Sequence, residues 1–320
     1  MKSQVYPVPP EAEGKTLAAF VRGVLGIPWA RSGKLIEGRM VLLGKEVCRD
    51  PARRVHGGEE IAILASPSRE KPVASAIVIR HLDSHLVVVE KPSGISSVRH
   101  PTEREWTRER KELAPTLEES VPGLIRQKEN RAPSGHNPRL RVVHRLDKET
   151  SGLLVFARTV EAERGLGLQF RKHTVKRRYL AVVQGTIENQ TITSQLVRDR
   201  GDGRRGSTHL PGVGKDSITH VRLVRKVGPL SVIECRLETG RTHQIRIHLS
   251  EKGQPICGEP VYLKKVDGSM MTDESGAPRL ALHAMELGFQ HPVTGVACHF
   301  EAPLPADLDA WLKTKEKRAT

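Results

Sequence analysis

A charged, polar turn runs directly into an apolar strand at residues 144–158, and this stretch constrains the fold more than any other. It opens with His144, Arg145, Leu146 and Asp147, passes through Thr150, Ser151 and Gly152, and ends in the apolar run Leu153–Ala157. A turn that feeds a buried strand can hold a side chain rigidly, because the packed strand locks the backbone beside it. Arg145 and Asp147 lie two apart, so they share a face if the segment is extended. Taken alone, these four residues would also suit an Asx-turn aspartate, a surface arginine and a packed core histidine.

A second structured stretch lies further along. Leu230–Thr239 alternates as a strand, and Thr242 is the expected N-cap of a helix that ends before Gly253. Ile245 and Leu249 share that helix's buried face, with Arg246 at its edge. Between the two stretches, Ala162–Phe170 reads as a helix and residues 171–178 form a dense basic run. Tyr179–Val183 then forms a strand ending at Gly185. Upstream, Ile77–Ile79 and Leu86–Val89 are strands around the Asp83-Ser84 turn, followed by Lys91, Pro92, Ser93 and Gly94. Lys91 is expected to meet a phosphate or solvent. Residues 101–140 form a polar, proline-interrupted insert with one short helix, Leu117–Gln127. It reads as a mobile contact loop or as a passive surface excursion. Gly201, Gly203 and Gly206 fit a dinucleotide-binding pattern, but no buried strand precedes them and no helix follows.

The first 75 residues read as a separate module. Residues 1–14 are expected to be a loose tail. Leu17, Phe20, Val21, Val24 and Leu25 form one helical face closed by Gly26 and Pro28. A second helix from Arg31 to Glu37, a hairpin turning near Gly44 and a strand at Ile61–Leu64 complete it. Pro67, Ser68 and Pro72 read as a linker.

Composition enters as a guide to partners. The net charge of +15 and a pI near 9.9 point to a polyanion. There is no basic amphipathic helix or lipidation motif to favour a membrane, and no apolar run approaches the ~18 residues needed to span one. Cys48, Cys235, Cys257 and Cys298 are widely spaced, which suits neither a zinc site nor a disulfide framework and fits a reducing cytoplasm.

The stretch at 144–158 resembles the signature of the RluA-type pseudouridine synthases, which isomerise uridine in rRNA and tRNA. Arg177, Tyr179 and Ala181 match the next block of that family. Residues 239–249, 253–262, 279–284 and 289–292 match the later ones. The resemblance implies an α+β catalytic domain, residues 77–310, on a central mixed, largely antiparallel sheet; after it, residues 311–320 read as a basic tail. It implies catalytic roles for Asp147, Tyr179 and Arg246. Arg246 would pair with Asp147, and a cation within about 4–6 Å favours an ionised carboxylate. Asp147 would act as nucleophile on ribose or base, or as a base at the sugar. Tyr179 would stack on the uracil. Arg145, His144, Arg177, Arg241 and His243 would bind substrate, with Arg145 filling the space left by a flipped nucleotide. Glu259 stands where the family commonly has aspartate.

The first module, residues 15–70, resembles the S4 RNA-binding domain. That resemblance implies RNA contacts from Arg31, Ser32, Lys34, Arg39 and Lys45, with Leu43-Gly44 departing from the family's usual Asn-Gly turn. The expected partner is ribosomal RNA, or else tRNA, met by a monomer in the cytoplasm without metal or cofactor. A catalytically silent ribosome-assembly factor is the competing expectation.

Overall fold

The computed structural model describes residues 3–38, 40–44, 46–48, 51–65, 77–130, 138–201, 203–263, 269 and 271–319. Two compact units divide the chain, residues 1–72 and 73–320.

The first unit contains β1 (Gln4–Pro7), α1 (Leu17–Leu25), α2 (Trp29–Glu37), β2 (Val41–Leu43), β3 (Glu46–Val47) and β4 (Glu60–Ile63). Thr16 caps α1 by accepting the Ala19 N–H, and Gly26 ends it in the left-handed conformation. Leu17, Phe20 and Val21 are buried, as their spacing requires, against Ile36, Val41, Ile61 and Ile63. The four strands run in the order β1-β4-β2-β3. The expected loose tail at 1–14 is corrected here. Gln4–Pro7 pairs antiparallel with β4, and Val8 and Ala12 are buried. A proline-rich segment carries no apolar period, yet an edge strand tolerates proline because one side of its backbone needs no partner. The expected linker residues Pro67, Ser68 and Pro72 lie outside the described residues.

The second unit is built on an eleven-stranded sheet among its described residues. Its strands are β5 (Val78–Leu82), β6 (Leu86–Lys91), β7 (Arg141–Val142), β8 (Ser151–Ala157), β9 (Lys176–Gln184), β10 (Gln190–Val197), β11 (Gly206–Thr208), β12 (Lys215–Val227), β13 (Leu230–Leu237), β14 (Leu282–Gln290) and β15 (Ala297–Glu301). The order is β11-β10-β12-β13-β9-β14-β8-β6-β5, with β15 on β14 and β7 on β8. All pairings are antiparallel except β8 with β14, so the sheet is mixed and largely antiparallel, as expected. The parallel seam is only two residue pairs long, His283 with Ser151 and Ala284 with Gly152. Gly152 has φ 117°, and a Cβ there would lie 2.2 Å from the Ala284 carbonyl oxygen. Only glycine lets the strand after the charged turn approach β14 this closely.

Among the described residues five α-helices flank the sheet: α3 (Arg108–Leu113), α4 (Leu117–Lys128), α5 (Val160–Arg171), α6 (Gln244–Glu251) and α7 (Ala306–Ala319). The insert is not a free loop over its described part. Thr116 and Glu119 form a capping box at α4, and Leu117, Val121 and Ile125 enter the main core. Arg99 braces the insert by donating to Glu119 and to the Ala114 carbonyl. The expected basic tail at 311–320 is corrected as well. It continues α7, whose Trp311 and Leu312 are buried in the same core. An apolar pair among lysines is a weak period, and the core decides it.

Candidate active site

The charged turn is pinned on both sides of Asp147. All seven residues of β8 are buried, and β6 pairs along it. Ser97 Oγ donates to the Leu146 carbonyl at 2.7 Å and accepts its N–H at 3.0 Å. Ser93 Oγ donates to the Glu149 carbonyl at 2.7 Å. Lys91 is fully buried, and its Nζ donates to the carbonyls of Pro92, Ile95 and Lys148 at 2.8–2.9 Å. The expectation that Lys91 meets phosphate or solvent is therefore wrong. Its three donors fold the 91–95 loop under the turn that carries Asp147. Burial pulls its pKa down to about 7, against the nearby charges of Glu149 and Asp147.

The opposite wall is the start of α6. The expected N-cap at Thr242 is corrected, because the cap residue is His243, at φ 60° and with no side-chain cap. Gln244 holds this helix start instead. Its Oε1 accepts from Thr239 Oγ1 and the Arg241 N–H, while its Nε2 donates to the Ile218 carbonyl and Thr219 Oγ1. This arrangement points Arg246 inward. Arg246 Nε and Nη2 donate to the two oxygens of buried Glu259 at 2.8 and 2.6 Å, and Nη1 lies 3.8 Å from Asp147 Oδ2. The expected pairing with Asp147 exists at ion-pair distance, but the tight partner is Glu259. Glu259 Oε1 also accepts the N–H groups of Val261 and Tyr262, so the same acid closes the turn and clamps the arginine. Burial works against the Arg246 charge, but the hydrogen bonds and charge of Glu259 outweigh it and raise the pKa.

His243 approaches Asp147 from the same wall, with Nε2 3.8 Å from Oδ1. Its Nδ1 is 2.6 Å from the Tyr262 hydroxyl, and the Tyr262 ring lies beneath the Arg246 guanidinium at 5.2 Å. Burial pushes Tyr262 up to about 12. Sequence reasoning missed Tyr262, Gln244 and the clamping role of Glu259. The available signal was the run Gly258–Tyr262, in which an acid and a tyrosine lie three apart after a glycine turn.

These walls enclose a cleft of about 670 Å³, within the ~300–1,000 Å³ range of small-ligand sites. Asp147, Tyr179, Arg246, Arg145, His144, Arg177, Arg241 and His243 all line it. The structure thus brings together every catalytic and substrate-binding residue expected from the sequence. Their roles differ in detail. Tyr179 is 7% exposed, and its hydroxyl makes no hydrogen bond among the described residues. Burial raises its pKa. His144 stacks on Phe170 with centroids 4.5 Å apart, and its Nε2 accepts the Val155 N–H. Burial and then Arg177 hold its pKa down at about 3, so the ring facing the cleft is neutral. Arg177 is tied to the Leu237 and Glu238 carbonyls. Arg145 is exposed and makes no hydrogen bond or ion pair among the described residues. Arg241 is steered by the Asp216 carbonyl and also borders a neighbouring 480 Å³ hollow lined by Arg198, Arg205 and Lys215.

In the first unit, Arg31 and Lys34 are exposed and three apart on α2, hence on one face. Ser32 is corrected. It is fully buried, and its hydroxyl donates to the Trp29 carbonyl, so it cannot meet RNA. Arg39 and Lys45 lie outside the described residues. Trp29, which the sequence reading passed over, is 53% exposed with the Arg22 guanidinium 5.2 Å from its ring centre.

Comparison with known proteins places this geometry. The family profile described as RNA pseudouridylate synthase matches residues 85–251. A ribosomal large subunit pseudouridine synthase D of Nitrosomonas europaea is 37% identical over 82% of this chain and 73% of its own length. A protein of the same name from Neisseria meningitidis is 36% identical over 94% of this chain and 79% of its own. The solved structure of human RNA pseudouridylate synthase domain containing 4 shares the fold. Its TM-score is 0.59 at 21% identity, covering 77% of this chain and 95% of that one. Every residue lining the cleft around Asp147 lies within the matched span except Leu282, and the chain belongs to the RNA pseudouridylate synthase family.

Proposed function

We propose that this enzyme isomerises uridine to pseudouridine in large-subunit ribosomal RNA, with Asp147 as the reacting carboxylate. The observation that carries the reading is Asp147 itself, rigidly held at the floor of the cleft with Arg246 and His243 each 3.8 Å away. Neither neighbour hydrogen-bonds it, so the carboxylate is charge-compensated yet open to a substrate atom. The target base leaves its stack to reach it. Arg145, exposed and unpaired among the described residues, fills the vacated space. Tyr179 stacks on the uracil through its face, with a hydroxyl free to help remove the C5 proton.

The glycosidic bond breaks, the uracil turns, and C5 bonds to C1′. The proton lost from C5 balances the one gained at N1. The choice of ribosomal RNA rests on the relatives named above and on the first unit, which supports an S4-like grip through Arg31 and Lys34. The basic hollow of Arg198, Arg205, Lys215 and Arg241 suits neighbouring phosphates. One chain supplies every wall of the cleft, in keeping with a monomer, and four free cysteines suit the reducing cytoplasm.

The test is tritium release from RNA labelled at uridine C5, with ribosomal and transfer RNA transcripts assayed separately. Release from large-subunit RNA with unchanged product mass is expected. A loss of uracil mass would indicate a glycosidase, release from transfer RNA alone would move the substrate class, and binding without release would indicate an assembly factor.

A further inference from the structure

Tyr262 does not line the cleft, and the isomerisation derived above assigns it no step. Yet it lies directly behind a group that does line it, His243. Tyr262 is 4% exposed, so its hydroxyl proton needs an acceptor within the protein. Its partner is His243 Nδ1 at 2.6 Å. At the other end of the imidazole, Nε2 faces a carboxylate oxygen, Asp147 Oδ1. A carboxylate accepts and does not donate. Both neighbours therefore favour one tautomer, in which Nδ1 is bare and accepts from the phenol while Nε2 carries the proton. His243 is also one of the few non-glycine residues in the left-handed region, at φ 60°. Such a backbone persists only where the surrounding structure enforces it.

We propose that Tyr262 and His243 form a positioning pair for the reaction, in which Tyr262 fixes the imidazole tautomer and His243 presents an Nε2–H to the Asp147 carboxylate. The inference rests on the reading of Asp147 as the reacting carboxylate. Burial keeps the imidazole neutral near pH 7, against the opposing charge of Asp147 and with help from Arg246. The pair therefore contributes a directed N–H without adding a second full charge beside Arg246. The 3.8 Å gap is longer than a hydrogen bond, and catalytic contacts of this length tighten when substrate seats. The N–H then steadies the carboxylate as it reacts. The rest of the network holds the ring in place: Glu259 sets the turn that carries Tyr262, and Arg246 covers the Tyr262 ring.

The experiment combines a spectroscopic readout with kinetics on the full chain. Long-range proton–nitrogen correlation on histidine-labelled protein gives the tautomer, with His243→Gln identifying the resonance. The wild type is expected to show Nε2–H with a bare Nδ1, and Tyr262→Phe to show a mixture. Tyr262→Phe is expected to lower kcat by roughly 10²-fold with KM within about twofold. His243→Gln, which keeps an amide donor near the Nε2 position, is expected to retain at least about tenfold more turnover than His243→Leu. A wild-type imidazole protonated on Nδ1, or a Tyr262→Phe enzyme with unchanged kcat, overturns the proposal. Failure of the Asp147 reading is separable, because full turnover by Asp147→Asn would overturn that assignment whatever the tautomer.

Discussion

Glu259 and Glu234 are both buried, both hold arginine, and use it differently. Glu234, on β13, accepts from Arg222 and Arg236 at 2.8 Å and from Arg178 at 3.3 Å. Arg178 continues to Glu286 and Glu301. Burial raises the Glu234 pKa, but its arginine partners outweigh burial and hold it below the usual carboxylate value. Charges there cancel mutually, and Arg222 and Arg236 are 56% and 65% exposed. Glu259 serves one arginine, takes two of its donors, and leaves Nη1 aimed at Asp147. A carboxylate that spreads its attachments stitches strands together. One that grips a single guanidinium from behind aims the remaining donor. Burial and ion pairing alone would not tell these two apart; the unused donor and the cleft it faces do.

Breaking the two glutamates separately tests this contrast. Glu259→Ala is expected to lower turnover about 10²–10³-fold, because Arg246 loses its aim. The same variant should lose about 3–5 kcal/mol of stability, because a buried guanidinium is left unpaired. Chemical denaturation and tritium release measure both. Glu234→Gln is expected to cost only about 1–2 kcal/mol and to leave turnover within about twofold, since its arginines keep other partners or solvent. Equal loss of turnover in the two variants would remove the distinction.

Lys91→Met probes the support on the other wall. Three carbonyls each lose a donor, and among the described residues only that of Lys148 keeps a second, from the Gly94 N–H, so a loss of about 2–4 kcal/mol is expected. Turnover should fall at least about tenfold with RNA affinity retained, since the turn carrying Asp147 shifts. A thermal melt with parallel binding and release assays checks this. Unchanged turnover would show that β8, Ser93 and Ser97 hold the turn without Lys91.

A smaller effect concerns pH. Burial holds His248 and His283 at about 4, well below the usual 6.5. Between pH 6.5 and about 4 the unfolded chain binds protons that the folded one does not, so stability is lost as pH falls through that window. Each group contributes roughly 1.4 kcal/mol per pH unit there. His248→Gln should flatten the acid limb of the melting curve.

What the sequence made legible follows the same divide. That Asp147, Tyr179 and Arg246 would share one cleft was readable from the family resemblance, because each sits in a motif that carries it. The mixed sheet followed from the strand pattern and the family resemblance together. Glu259 was visible only as a departure from the family's aspartate, since its grip on Arg246 crosses a loop that periodicity does not describe. Lys91 was misread because lysine is ordinarily exposed, and only three converging carbonyls make its burial favourable. Ser32 failed for the opposite reason: a polar residue on a basic helix was assigned outward, while its hydroxyl satisfies the helix's own backbone. The strand at Gln4–Pro7 was hidden by prolines that an edge position accommodates.

The most direct test of the central claim is single-turnover tritium release by Asp147→Asn, measured beside RNA binding by the same protein. The substitution keeps the size of the side chain and removes its charge. The account predicts no release above background, with affinity within about threefold of the wild type. Release by the variant at a rate near that of the wild type would contradict it and move the chemistry to another residue of the cleft.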